Sequence, residues 1–299
     1  MQPINWNELR DFLAVARVGQ YARAAATLGI DPATIGRRLR RLERALGYTL
    51  FEQTREGQVL TEAGERLLAQ VELMGQAFET IVEQQSPAGL SGHLRISVSE
   101  GFGTWFIARH LQGFTDRYPL LTVDLAATSG FLNPSKREAD MAILLARPRT
   151  GPVISGKLSD YRLQLYAGRS YLARKGGPQN LDDLALRHRL IGYVPDLLYA
   201  PELRYLGEID ERLNAHIRSS SINAQHQLVA AGAGIAVLPC FIGDADPRLE
   251  RVLPEIGIDR SFWIVIHRDT RQLQRVRAFR NWLLEVVAQN RDALLGRIP

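Results

Sequence analysis

The stretch from Ile30 to Gly47 reads IDPATIGRRLRRLERALG, and its pattern predicts a helix with two different sides. Asp31 suits the N-cap because its carboxylate accepts hydrogen bonds from free amides, and Pro32 suits the first helical position. Gly47 suits the end of the helix. Apolar side chains recur at spacings of four, three and four, which places them on one buried face. They are Ile35, Leu39, Leu42 and Leu46.

The opposite side of this helix is strongly cationic. The segment holds five arginines, one glutamate and no lysine, whereas a face that serves only solubility usually mixes both signs of charge. Guanidinium groups offer planar, paired donors that suit phosphate oxygens and guanine edges. The segment therefore favours contact with nucleic acid over a merely solvated face. The polar side carries Thr34, Arg37, Arg38, Arg40, Arg41 and Arg44.

Length and composition bound the class of protein. The 299 residues, 45% hydrophobic and 23% charged, are typical of a globular protein with about two domains, and a net charge of +5 names no partner by itself. Cys240 is the only cysteine and lies in an apolar segment, which predicts a buried, inert thiol. No signal peptide or membrane-length apolar stretch is present, so we expect a cytosolic protein without a membrane partner.

The N-terminal region predicts a helix-turn-helix. Helices at Trp6–Val18 and Tyr21–Leu28 precede the arginine-rich helix, and Gly29 ends the second of them. A purely structural three-helix bundle stays open as an alternative. Two β-prone runs then flank Glu56-Gly57 and predict a hairpin wing. Arg55 near its tip either contacts a phosphate or is simply exposed.

A long helix is predicted from Thr61 to about Gln85. Its apolar residues alternate at spacings of four and three, a heptad pattern that favours dimerisation, with packing on its own domain as the alternative. The pattern comprises Leu60, Gly64, Leu67, Val71, Met74, Phe78 and Ile81. The following segment, 87–92, reads PAGLSG and predicts a flexible hinge.

Beyond the hinge, strands alternate with helices, which predicts an α/β domain with parallel sheets covered by helices. We expect strands at His93–Ser99, Leu121–Ala127, Asp140–Ala146, Arg162–Ala167, Arg189–Tyr193, Ala215–Arg218, Gly234–Pro239 and Phe262–His267. The expected helices are Gly103–Tyr118, a short one near Pro134–Glu138, Ser170–Lys175, Ile222–Gly232 and Arg271–Ala288.

The sequence gives no support for catalysis. The six histidines lack the spacing of a zinc site, and neither a Gly-x-Ser-x-Gly elbow nor a phosphate-binding Gly-x-x-x-x-Gly-Lys loop occurs. Gly232-Ala233-Gly234 lies between a helix and a strand, the reverse of the dinucleotide-binding order, and is interpreted as a helix stop and turn. We expect no metal and no cofactor, although a triad assembled across the fold stays open.

A ligand-binding cleft is better supported. Three polar segments, 97–104 (SVSEGFGT), 128–130 (TSG) and 219–221 (SSS), follow predicted strands. Carboxyl ends of parallel strands share one edge, where helix N-termini offer free amides. Small anions or carboxylated metabolites suit these amides, but Glu100 opposes an anion unless a cation offsets it.

Motifs along essentially the full chain resemble the LysR-type transcriptional regulators. In the N-terminal part they are 8–16 (ELRDFLAVA), Ala24-Ala25 with Leu28, Leu42-Glu43, Leu46-Gly47, Leu50-Phe51 and 60–64 (LTEAG). In the C-terminal part they are Leu94–Ile96, Phe114 with Tyr118-Pro119, 139–142 (ADMA) and 228–239 (LVAAGAGIAVLP).

The resemblance implies an all-α winged helix-turn-helix domain, a long linker helix, and an α/β C-terminal effector domain that is two-lobed and similar to periplasmic binding proteins. It also implies a homodimer through the linker helix, often assembled into a homotetramer, on inverted-repeat promoter DNA. The expected boundaries are 1–60 for the DNA-binding domain, 61–86 for the linker, 87–92 for the hinge and 93–299 for the effector domain. Within the last, lobe I comprises 93–161 and 267–299, and lobe II comprises 162–266.

The resemblance also implies which residues contact DNA. The family's contact positions fall on Pro32, Ala33, Gly36 and Arg37, with Pro32 replacing a common Gln and Gly36 a common Ser. Thr34, Arg37, Arg38 and Arg41 then carry more of the contact. Because they lie on the polar side, replacing Arg37 and Arg41 is expected to leave the fold intact. Gln53 replaces a common Arg, which leaves Arg55 as the nearest substitute.

In the effector cleft the matching positions are Ser99, Gly101, Thr128 and Ser221, and the polar segments add Glu100, Thr104 and Ser129. Gly101 stands where the family often has Ser or Thr, so we expect a less polar pocket there. The predicted function is a sequence-specific transcriptional regulator that responds to a small-molecule effector. The alternatives are a solute-binding or enzymatic module whose N-terminal bundle only dimerises, and an architectural DNA-binding protein with an unused cleft.

Overall fold

A computed structural model of the chain describes residues 4–55, 57–85, 89–128, 138–148, 150–268 and 270–297, with the backbone alone for Leu73 and 76–85. The chain divides into two compact units, Met1–Ser86 and Pro87–Pro299. Among the helices of these described residues, none combines the length and the apolar character that a membrane span requires.

The N-terminal unit is a winged helix-turn-helix followed by a long helix. Its first three helices have the predicted bounds, and Asp31 caps the third by accepting hydrogen bonds from the amides of Ala33 and Thr34 at 2.8 and 3.3 Å. Gly19, Gly29 and Gly47 end the three helices with positive φ angles. The elements are α1 (Trp6–Val18), α2 (Tyr21–Leu28), α3 (Pro32–Leu46), β1 (Phe51–Gln53), β2 (Gln58–Leu60) and α4 (Glu62–Gln85).

The first part of α4 packs on its own unit. A Cβ at Gly64 would lie 2.2 Å from the Leu50 carbonyl oxygen, and Val71 joins the buried core around Phe12. The predicted heptad pattern is therefore not one continuous free face, and at these positions the alternative of intramolecular packing holds. Met74 is 48% exposed. The side chains of Phe78 and Ile81 lie outside the described part of the chain.

The C-terminal unit contains one eight-stranded mixed sheet covered by helices. Its strands are β3 (Ser91–Ser99), β4 (Leu120–Thr128), β5 (Met141–Leu144), β6 (Val153–Gly168), β7 (Leu190–Tyr193), β8 (Ile217–Ser219), β9 (Ile235–Pro239) and β10 (Leu249–His267). Its first helix, α5 (Glu100–Phe102), continues through a π-helical turn at Gly103–Ile107 into α6 (Ala108–Arg117). The other helices are α7 (Arg169–Lys175), α8 (Leu181–Arg187), α9 (Tyr205–Ile209), α10 (Ile222–Ala230), α11 (Cys240–Gly243), α12 (Gln274–Gln289) and α13 (Arg291–Leu294).

Strand order shows why this unit has two lobes. The order is β4-β3-β5-β10-β6-β9-β7-β8, with parallel pairs within β4-β3-β5 and within β9-β7-β8. We call these two groups lobe I and lobe II. The central pairs are antiparallel, so the expected parallel arrangement holds within each group but not in the middle of the sheet.

Two long strands, β6 and β10, carry the chain between the lobes. Tyr161 of β6 pairs with Arg260 of β10, so the outward crossing lies near the expected residue. The return crossing precedes the expected position near His267, because residues 263–266 already pair with β5 in lobe I. Rings of Tyr161, Phe262 and Phe102 pack in sequence at this crossing, with centroid distances of 4.1 and 4.2 Å.

Some boundaries differ from the predicted ones. Ser91 and Gly92, assigned to the hinge, are the first residues of β3, and 86–88 lie outside the described residues. The expected helix near Pro134–Glu138 also falls almost entirely outside them. Cys240 is buried, and burial raises the pKa of its thiol, which confirms the predicted inert cysteine.

Candidate functional site

The arginines of α3 form two rows with different environments. In the first row, Arg38 Nη1 lies 3.0 Å from Asp11 Oδ2, and Arg41 pairs with Glu8. Both carboxylates belong to α1 and are almost fully buried, with 0% and 2% of their side chains exposed, whereas the arginines are 33% and 50% exposed. We call Arg38 and Arg41 the anchored row.

The anchored row has a structural role that the sequence expectation missed. A buried carboxylate is costly unless a charge or hydrogen bonds compensate it, and Asp11 Oδ1 has no hydrogen-bond partner among the described residues. Glu8 also accepts a hydrogen bond from the Asn5 amide at the start of α1. Replacing Arg41 therefore leaves the buried Glu8 carboxylate without its ion-pair partner, so Arg41 does not only face outward as the sequence pattern predicts.

The second row, Arg37, Arg40 and Arg44, is exposed, and no described acidic residue lies within salt-bridge distance of it. Arg37 Nη2 donates to Thr34 Oγ1 at 3.3 Å, and Arg44 Nε donates to the Arg40 carbonyl at 3.2 Å. The row borders a surface groove of about 520 Å³ beside Tyr48 and Thr49. We call it the open row. Arg40 and Arg44 were not among the predicted contact residues.

The remaining predicted DNA-binding positions differ in exposure. Pro32 and Ala33 are exposed and Thr34 is half-buried, but Gly36 is buried, and Tyr21 lies 4.0 Å from where its Cβ would be. The expectation that Gly36 contacts DNA is therefore not supported by its position.

The wing is fixed against the turn between α1 and α2. Arg55 is exposed at its tip, and the Gln58 amide donates to the Gly19 carbonyl at 2.7 Å. Gly57 allows this contact because a Cβ there would lie 2.3 Å from the same oxygen. Arg55 is thus carried by an anchored hairpin. Glu56 lies outside the described residues.

The predicted effector positions gather at the strand ends of the C-terminal unit. Ser99 ends β3 beside Thr128 at the end of β4, and Ser221 caps α10 by accepting from the Ala224 amide at 3.1 Å. Ser129 is outside the described residues. Gly101 is buried, and its Cβ would lie 3.1 Å from Ile222 of lobe II. Gly101 thus permits close approach of the lobes instead of lining an open pocket.

Glu100 bridges the two lobes. Its Oε1 accepts from Ser221 Oγ at 2.7 Å and from Asn223 Nδ2 at 3.0 Å, and its Oε2 accepts from the Ile222 amide at 3.1 Å. These are the groups expected to hold a bound anion. A carboxylate of the chain itself thus occupies the Ile222 amide, so this amide is not free as expected.

Asn223 extends this bridge to a tryptophan that the sequence analysis did not single out. Asn223 Oδ1 accepts from Trp105 Nε1 at 2.7 Å, and Nδ2 also donates to Thr104 Oγ1 at 3.3 Å. The guanidinium of Arg109 lies 4.9 Å from the centre of the Trp105 ring. The only sequence signal for Asn223 is its place two residues after Ser221, a predicted effector position.

A buried histidine supports the tryptophan from lobe II. The His226 ring lies 4.5 Å from the Trp105 ring, and His226 Nε2 lies 2.9 Å from Asp246 Oδ2. Burial lowers the pKa of His226 despite the nearby Asp246, and hydrogen bonds from Arg248 hold the pKa of Asp246 at about 2. This arrangement favours a neutral imidazole beside an ionised carboxylate.

Tyrosine side chains lie in lobe II near the bridge. Burial raises the pKa of Tyr199 to about 12, and the negative charge of Glu100 adds to the rise. The rings of Tyr193 and Tyr205 lie 5.8 Å apart and border a cavity of about 460 Å³. Their hydroxyls stay protonated and neutral at physiological pH. Among the described residues, no group of His, Cys, Asp and Glu is arranged to hold a metal ion.

Comparison with known proteins decides the family. Residues 6–65 match the bacterial regulatory helix-turn-helix proteins of the lysR family, and residues 87–288 match the LysR substrate binding domain. The chain belongs to the LysR family. This LysR-family protein is a transcriptional regulator with an N-terminal helix-turn-helix domain and an α/β substrate-binding domain.

Its similarity to characterised regulators extends over nearly the whole chain. The Mau operon transcriptional activator of Paracoccus denitrificans is 28% identical over 295 residues, covering 96% of this chain and 98% of that protein. PtxR of Pseudomonas aeruginosa is 30% identical over 286 residues, and the match covers 92% of this chain and 91% of PtxR. The solved structure of CrgA from Neisseria meningitidis is 25% identical in sequence and superposes with a TM-score of 0.59. The match covers 95% of this chain and 99% of the CrgA chain.

Proposed function

We propose that this LysR-type regulator binds promoter DNA through the start and open row of α3, together with Arg55 of the wing. The observation that carries this proposal is the division of the α3 arginines, since the open row has no acidic partner among the described residues while the anchored row is held by α1. Free guanidinium groups on an exposed helix face suit the phosphates that line the major groove.

The start of α3 supplies the contacts that specify sequence in this proposal. Pro32, Ala33 and the methyl group of Thr34 suit apolar contact with thymine methyl groups, and Arg37 suits a guanine edge. Arg40, Arg44 and Arg55 suit phosphates. Arg38 and Arg41 remain partly exposed, so each contributes to the cationic field of the helix while it holds α1.

We further propose that the regulator works as a homodimer, and as a dimer of dimers, through the side of α4 that its own unit leaves exposed. Met74 belongs to that side, whereas Gly64 and Val71 are buried within the unit. A two-fold axis would place two copies of α3 about 34–36 Å apart, on successive major-groove turns. Sedimentation of Met74→Arg should show weakened self-association if α4 forms the interface.

The effector site of this proposal lies between the lobes, near Ser99, Thr104, Thr128 and Ser221. Hydrogen bonds that already cross from Glu100 and Trp105 to α10 support a cleft whose closure a small molecule can alter. Such an effector would raise stability by RT ln(1 + [L]/Kd). The corresponding functional boundaries are the DNA-binding unit 1–60, the linker 61–86 and the effector domain that follows.

The experiment for DNA binding is footprinting of the full chain on the DNA that flanks its own gene. We expect protection of an inverted repeat by the wild type and its loss in Arg37→Ala/Arg40→Ala. The matched control is Arg10→Ala/Arg17→Ala, which removes the same charge from exposed positions of α1. Equal protection by the wild type and the α3 variant would reject the assignment of the open row.

A further inference from the structure

We infer that Glu100 is a built-in carboxylate that fills the anion position of the effector cleft, and that the effector is therefore an organic cation bearing N–H groups. An ammonium or guanidinium compound fits this description, whereas a carboxylate does not. The inference rests on the proposed function of the cleft as the effector site, and it concerns the chemistry that the cleft accepts.

Glu100 already occupies three hydrogen-bond donors at the start of α10. At the start of α10, the Ser221 hydroxyl, the Ile222 backbone amide and the Asn223 side-chain amide all donate to Glu100. The remaining polar atom of Asn223, Oδ1, accepts from Trp105. An arriving carboxylate therefore meets donors that are already used, and it must displace Glu100 to reach them.

The two carboxylate oxygens of Glu100 accept different numbers of hydrogen bonds. An ionised carboxylate offers about four acceptor positions. Oε1 accepts two hydrogen bonds, from Ser221 and Asn223, whereas Oε2 accepts one, from the Ile222 amide. Among the described residues, Oε2 thus accepts one hydrogen bond fewer than Oε1, which leaves it one acceptor position for an N–H group.

The three partners of Glu100 are neutral, and no described cation lies within salt-bridge distance of its carboxylate. Arg109 lies over the Trp105 ring and makes no ion pair with Glu100. Among the residues that the structure describes, no side chain thus compensates the negative charge of Glu100, which attracts a cation and repels a second anion.

Glu100 starts α5 of lobe I, and its partners start α10 of lobe II, so the carboxylate holds the lobes together. A cation that binds the open position of Oε2 adds to this closed arrangement. A carboxylate ligand would instead compete with Glu100 and open the bridge before it binds.

The test compares three simple probes, butylammonium, butylguanidinium and butyrate, on the full chain by calorimetry and thermal unfolding at constant ionic strength. We expect a cationic probe to bind and stabilise the wild type, and butyrate to do neither. In Glu100→Gln, which keeps an acceptor oxygen but loses the charge, binding of the cation should weaken about tenfold or more. Glu250→Ala, at an exposed position of β10, is the matched control and should bind as the wild type does.

A second variant tests the built-in carboxylate directly. Glu100→Ala frees the three donors of α10, so acetate should stabilise this variant and leave the wild type unchanged. If Glu100→Ala fails to fold, the loss of cation binding in Glu100→Gln still decides the matter. Butyrate binding to the wild type, or no binding of either cation, would overturn the inference. A cation that binds but leaves the DNA footprint unchanged would contradict the proposed sensing function alone and leave the charge selectivity standing.

Discussion

The contact between α1 and α3 and the contact between the two lobes, here called seams, both depend on carboxylates. The groups that pair with these carboxylates differ. Asp11 and Glu8 are buried and face arginines, whereas Glu100 is half-buried and faces neutral donors. Removing one member of a buried ion pair is costly because the other charge stays without compensation. Neutral donors released from Glu100 can bind water instead. The first seam is therefore a fixed structural contact, and the second is suited to opening and closing.

The largest effect is expected at the fixed seam. Arg38→Ala should lower the free energy of unfolding by about 2–3 kcal/mol, since Asp11 is fully buried; the value is less than for a wholly buried pair because Arg38 is one-third exposed. Arg37→Ala, one residue earlier and exposed, should stay within about 0.5 kcal/mol of the wild type. Denaturant unfolding measures both, and equal losses would contradict the division into two rows.

A smaller effect is expected at the seam between the lobes. Glu100→Ala should cost about 1–2 kcal/mol, because three hydrogen bonds are lost while water reaches the half-buried donors. The exposed Glu250→Ala should be neutral within about 0.5 kcal/mol. A loss at Glu100 larger than that at Arg38 would reverse the comparison and make the lobe seam the more rigid of the two.

The histidine behind the lobe seam gives a pH dependence. Burial holds the pKa of His226 below its usual value of 6.5, so the unfolded chain binds a proton in a range where the folded chain does not. Stability should therefore fall as pH drops below about 6.5, by at most about 1.4 kcal/mol per pH unit for this residue. The pKa of His188 is lowered in the same direction, also by burial.

Replacing His226 separates the two contributions. His226→Gln should reduce the slope of unfolding free energy against pH between about 5 and 6.5, because one of the two buried histidines with a lowered pKa is then absent. His216→Gln is the control, at an exposed position. An unchanged slope in His226→Gln would show that this histidine does not remain neutral in the folded protein.

The same contrast explains what the sequence predicts and what it does not. Helices α1 and α3 have capping side chains, and all three N-terminal helices end at a glycine, so the bounds of α1, α2 and α3 follow from local pattern. The bounds of strands β6 and β10 do not follow from local pattern, because both strands are long and their apolar alternation is interrupted. Pro254 and Gly257 break the apolar alternation of β10, and its register shifts between Val252 and Gly257. Helices α8, α9 and α13 are too short to give a clear period.

The sites follow the same division. Pattern alone identifies which α3 residues face away from the apolar stripe, but it does not reveal that Arg38 and Arg41 meet carboxylates 27 and 33 residues earlier in the chain. A usable signal was present, since Glu8 and Asp11 are three residues apart on the apolar side of α1. Glu100 meets its partners 121 to 123 residues later, and only the sheet topology brings them together.

The central claim is that residues of the open row contact the phosphates beside α3. The most direct test is the salt dependence of DNA binding, measured by fluorescence anisotropy for the wild type, Arg37→Ala/Arg40→Ala and the control Arg10→Ala/Arg17→Ala. The slope of log K against log salt concentration is negative, and each lost phosphate contact reduces its magnitude by about 0.9. We predict a slope smaller in magnitude by about 0.9 for the α3 variant, because Arg40 is its phosphate-contacting residue, with folding and the control unchanged. An unchanged slope in the α3 variant would contradict the account.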